Sequence, residues 1–200
     1  MGIIKVPTIL NKINNKYTWD TLWIISEKVI HILATLLASV FAAKALGPEK
    51  FGVLSYGLSL VGIFAITGHL GLSGLAVRDL VMKPKISGQI LGTVLGLKVF
   101  GYLLGFLLFA MYSTLSTNHS TTERNVLMVL SLILLFKSAE IIEYWFQSQV
   151  LNKYISISKI FSNIVSTIVR GLIVFFGASA VLFAMVNVLY FLFLFLFLCF

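Results

Sequence analysis

Six long apolar runs divide this chain of 200 residues, and they leave little room for anything but a membrane-embedded fold. The runs cover residues 22–46, 51–77, 86–112, 126–151, 155–177 and 178–200. Each is long enough to cross about 30 Å of hydrocarbon as a helix rising 1.5 Å per residue. The strands of a membrane barrel would alternate polar and apolar residues over about ten positions, and these runs do not alternate. The expected architecture is all-α: a polytopic bundle of six transmembrane helices forming one lobe over residues 1–200. A soluble surface is excluded by composition, since 11% of residues are charged against about 25% in soluble domains. The mean hydropathy of +1.02 points the same way.

The net charge of +8 is read as membrane topology rather than nucleic-acid binding, because no dense basic stripe accompanies it. Lys5, Lys12, Lys16, Arg78, Lys83, Lys85, Lys153 and Lys159 fall on one side of the six-span arrangement. Lys44, Lys50 and Arg124 fall on the other, so the amino terminus is expected on the cytoplasmic face. Tyr17, Trp19 and Trp23 stand where an interfacial aromatic belt belongs. The first apolar run is too long for a signal-peptide core, and Val6 breaks the myristoylation pattern that Gly2 begins.

Enzyme chemistry finds little support. His31 and His69 lie within spans, and His119 lies in an outer loop with only Glu123 nearby. The lone Cys199 offers no disulfide, and no metal-spaced ligand set, phosphate loop or nucleotide fold is legible. No cofactor is expected. Asn118-His119-Ser120 matches a glycosylation sequon and is read as chance.

Inside the spans, ionisable residues cost at least about 2.5 kcal/mol each at a helix centre and should face a neighbour or a wet cavity. Lys98, Arg170 and Lys28 are the candidates for a substrate cavity, Lys98 and Arg170 having no obvious partner on their own helices. Glu27 and His31 share a face at four-residue spacing, and Lys137, Glu140 and Glu143 cluster on the fourth segment. These five are candidates for ion coupling or for structural ion pairs. Gly88, Gly92 and Gly96 recur every four residues, so that face of the third segment is expected to pack closely on a neighbour.

The first connection is sharply written. Leu46-Gly47-Pro48-Glu49-Lys50-Phe51-Gly52 places a helix-ending glycine before a helix-starting proline, with an acid at the positive end of the new helix. This run, with Phe41-Ala42-Ala43-Lys44 before it, resembles the amino-terminal signature of polysaccharide flippases of the O-antigen and teichoic-acid export type. Trp19 before the first span is similar, as are Gly71-Leu72 leading to Arg78, and Trp145-Phe146-Gln147 leading to Lys153-Tyr154. The resemblance runs along nearly the whole chain. It implies a multi-pass protein of the prokaryotic plasma membrane that moves a polyprenyl-diphosphate-linked oligosaccharide between leaflets for cell-surface polysaccharide synthesis. Members of that family have two lobes, so the carboxy-terminal lobe is expected to be missing here. The chain then reads as an amino-terminal fragment or as half of a homodimer. The alternatives are a cation-coupled drug or metabolite exporter of the same superfamily, and a membrane enzyme or adaptor.

Overall fold

The computed structural model describes residues 6–115, 120–176 and 179–199. Among them there are helices and turns and no strand. Five helical stretches are long and apolar enough to cross a membrane. The first of these begins with α1 (Val6–His69), which is two helices joined at Gly47.

A straight helix of 64 residues would measure about 96 Å, three times the hydrocarbon thickness. Gly47 prevents that, with φ 75° and ψ 170°. Its φ is positive as expected, but its ψ lies in the extended region open essentially to glycine alone, not in the left-handed helical region. Pro48 supplies the reason: its ring disfavours helical ψ at the preceding residue and drives it towards extended values. The helix restarts at Pro48, where a missing N–H costs nothing. Residues of both limbs, 31–42 and 51–58, line one cavity, so the chain doubles back at Gly47.

The second limb stops at His69, short of the expected residue 77, because Leu70 (φ 40°) and Gly71 (φ 65°) leave helical space. A short helix, α2 (Leu72–Met82), follows, and its Ala76 and Leu80 pack with Val94, Ile141 and Tyr144. After a 3₁₀ turn at Pro84–Ile86 comes α3 (Ser87–Leu115). The fourth expected span is divided into α4 (Thr121–Lys137), a 3₁₀ turn at Ser138–Glu140 and α5 (Ile141–Ser148). Ser120 and Glu123 cap α4 reciprocally, each side chain taking the other's backbone N–H. The last two helices are α6 (Asn152–Phe176) and α7 (Ala180–Cys199). Lys5, Asn118, His119, Gly177, Ala178 and Phe200 lie outside the described residues, as do the side chains of Lys12, Lys16, Tyr17 and Cys199.

The second limb and α3 approach closely. Thr67 Oγ1 donates to the Gly101 carbonyl at 2.8 Å. A Cβ on Gly101 would collide with the Thr67 carbonyl, and one on Gly105 with the Phe64 carbonyl. Phe64 stacks on Phe109 with ring centroids 5.2 Å apart. Gly88, Gly92 and Gly96 instead face open space, contrary to the packing expected of them. The second limb ends alongside Gly101, so no limb continues past the earlier turns of α3. On the outside, Leu22, Val29, Leu36, Phe100, Leu107 and Ile168 are exposed, a surface suited to hydrocarbon rather than water.

Candidate functional site

The interior polarity is concentrated on α6. Its Ser156, Lys159, Asn163, Ser166 and Arg170 follow one another at three- and four-residue spacing and so share a face. That face turns inward: Ser156, Ser158, Ser162, Asn163 and Ser166 are buried, while Ile157, Phe161, Ile164, Ile168 and Leu172 face out. Polar atoms hidden from lipid and apolar ones shown to it are what a bilayer demands.

The inward face meets the first limb of α1 in parallel register. At one end the Asp20 carboxylate accepts from the Asn152 backbone N–H at 2.9 Å and from its side-chain amide, a pair 132 residues apart in sequence. Asn152 is the first residue of α6, so Asp20 satisfies a helix-end donor and neutralises the positive end of the dipole. Further in, His31 Nδ1 and the Asn163 side-chain amide lie 3.2 Å apart, again 132 residues apart in sequence. Deeper still, Arg170 Nη2 donates to Asn187 Oδ1 at 2.8 Å, and Asn187 in turn donates to the Phe183 carbonyl. Among the described residues no carboxylate lies within ion-pair distance of Arg170, which is half-buried with a neutral partner.

Two cavities adjoin this ladder and share His31, Tyr190 and Phe191. One, of 490 Å³, is lined by His31, His69, Glu140, Glu143, Tyr144, Gln147 and Lys159 among others. The other, of 310 Å³, is bounded by both limbs of α1 and by Asn163, Arg170 and Asn187. Between them they carry cations, carboxylates and amides on walls that are otherwise largely apolar.

The other charges hold the wall in place. Lys98 is fully buried, and its Nζ donates to Glu140 Oε2 at 2.9 Å. Tyr102 Oη donates to the same oxygen at 3.2 Å, and the Lys98 ammonium lies 4.5 Å from the centroid of the Tyr144 ring. Lys98 therefore stands behind the cavity rather than in it. Its partner is on another element, 42 residues away, out of reach of any reading of its own helix. Lys137 stands at 4.0 Å from Glu140, a looser contact than the expected i,i+3 pair. Glu143 leaves that group and pairs with Lys159 at 2.7 Å. Glu27 lies near Glu143 and Tyr190. Lys28 lines neither cavity and is exposed. One residue on from Glu27 it points about 100° away, where its stem can lie along the apolar surface.

Of the sequence candidates, Arg170, His31, Glu140 and Glu143 reach the cavities, and Lys98, Lys28, Glu27 and Lys137 do not. Asp20, Lys159, Asn163, Asn187 and Tyr190 were not singled out as site residues. The spacing on α6 carried that signal for Lys159 and Asn163; nothing local marks Asp20 or Asn187. Comparison with protein-family models, characterised proteins and solved structures yields no match.

Proposed function

We propose that this chain is a lobe of a membrane translocator that moves a lipid-linked, anionic oligosaccharide between leaflets. The observation that carries this reading is Arg170: a half-buried cation on a cavity wall, in a helix apolar enough to cross a membrane, held by an amide and by no carboxylate among the described residues. An arginine in that setting is costly unless an anion visits it, and its planar fork suits phosphate oxygens. The Leu46–Gly52 hairpin supports the same reading through its resemblance to polysaccharide flippases, and the polyprenyl-diphosphate cargo and prokaryotic plasma membrane follow from that resemblance. Rocking against a second lobe or a second copy would give alternating access.

A cation-coupled exporter is the second reading, and the Glu140 and Glu143 carboxylates on the larger cavity favour it. The two separate in a flippase-deficient strain carrying this chain alone, or joined to a second lobe. Restored surface polysaccharide that is lost in Arg170→Ala and partly kept in Arg170→Lys supports the lipid-linked cargo. Loss in Glu143→Gln of resistance to cationic drugs, with polysaccharide never restored, supports the exporter.

A further inference from the structure

A second site lies on the opposite side of α5 from the cavities. Glu143, Tyr144 and Gln147 turn towards the larger cavity, whereas Ile141, Ile142 and Trp145 face a separate groove. Leu91, Gly92 and Leu95 of α3 close its other wall, leaving an apolar trough of 410 Å³. The wall at Gly92 faces open space, since a Cβ there would meet nothing within 4 Å. Just before α3 the chain runs Met82-Lys83-Pro84-Lys85-Ile86, and this loop lines a pocket of its own. Lys83 and Lys85 are exposed, no acidic residue interrupts residues 80–122, and neither lysine is in an ion pair among the described residues. Lys85 precedes Leu91 by roughly 9 Å along the helix direction. That is the order in which a phospholipid presents its parts, the charged phosphate first and the acyl chain beyond it. The Trp145 indole, half-exposed at the rim, adds the amphipathic ring that sits at the headgroup level.

We propose that an anionic diacyl phospholipid occupies this α3–α5 groove, with an acyl chain along Leu91, Gly92 and Leu95 and its phosphate held by Lys83 and Lys85. The site does not depend on the cargo reading above, because it shares no lining residue with either cavity. A polar neighbour would leave the exposed Leu95 and Trp145 side chains without an apolar contact, and a zwitterionic headgroup would gain less from two lysines. Each basic residue at an anionic surface contributes about 1 kcal/mol, so two give a preference of about thirtyfold at about 1.4 kcal/mol per decade.

The test titrates the purified full chain in neutral detergent with phosphatidylglycerol or phosphatidylcholine and counts bound lipid by native mass spectrometry. Phosphatidylglycerol should bind about thirtyfold more tightly. Lys83→Gln with Lys85→Gln should bring the two lipids level while leaving phosphatidylcholine binding unchanged. Gly92→Leu should fill the groove and weaken both lipids, while Gly96→Leu, one turn on and outside the lining, should weaken neither. Equal affinity for the two lipids in the unmodified chain would overturn the proposal, as would undiminished phosphatidylglycerol binding by Gly92→Leu. That second outcome would place the lipid on the loop by charge alone.

Discussion

The two limbs of α1 pack by opposite means. The second limb meets α3 through glycine, aromatic rings and one threonine hydroxyl, with backbone against backbone at Gly101 and Gly105. The first limb meets α6 through Asp20–Asn152 and His31–Asn163, with a cavity opening beside them. Lipid tails are as apolar as leucine, so membrane helices gain adhesion from close packing or from polar pairs rather than from the hydrophobic effect. The glycine contact spends its surface on adhesion and leaves no room for a guest. The polar contact adheres at a few points and leaves space between them, which is the property a translocation path needs.

That contrast can be broken from either side. The largest effect is expected behind the cavity wall. Glu140→Ala strands the buried Lys98 ammonium and should cost about 3–5 kcal/mol in a reversible unfolding titration in mixed micelles. Lys98→Met combined with Glu140→Leu should recover most of that loss, since an apolar pair of similar volume removes the stranded charge. A double variant as unstable as Glu140→Ala would show that the pair does more than balance charge. Next comes the glycine contact: Gly101→Leu drives a side chain into the Thr67 carbonyl, and overpacking of this kind costs about 1–3 kcal/mol. The same titration should find Gly88→Leu within about 0.5 kcal/mol of the unmodified chain, as at an ordinary surface site. Smaller again is the polar contact, where Asn163→Ala should cost about 0.6 kcal/mol, the average for an interhelical hydrogen bond in a bilayer. A loss several times larger would mean that the α1–α6 contact is a fixed strut and not a loosely held wall.

The helices were legible in the sequence because hydrocarbon thickness imposes a length that apolar runs must meet. Gly47 and Pro48 were legible because both act on their own backbone. Lys98 was legible as a buried charge but not as a paired one, since Glu140 reaches it from another helix. The Gly88, Gly92 and Gly96 spacing showed a flat face but not what stands opposite, and the kink at Leu70 and Gly71 ends the limb that would have covered it. The polar face of α6 could have been read from Ser156, Lys159, Asn163, Ser166 and Arg170. Counting Lys159 only as a topology marker hid it. Asp20 resembles any interfacial acid until Asn152 is seen above it.

Centrally, the first limb and α6 border a space that water enters, while the seam between the second limb and α3 at Thr67, Gly101 and Gly105 is closed to it. Cysteine labelling tests it most directly. With Cys199 replaced by serine, single cysteines at Thr35 and Ser55, both on the smaller cavity, are compared with one at Ser113, fully buried on α3. A charged, membrane-impermeant thiol reagent should modify Thr35→Cys and Ser55→Cys and spare Ser113→Cys. Equal protection at all three positions, in a chain shown to be folded in the membrane, would contradict the account.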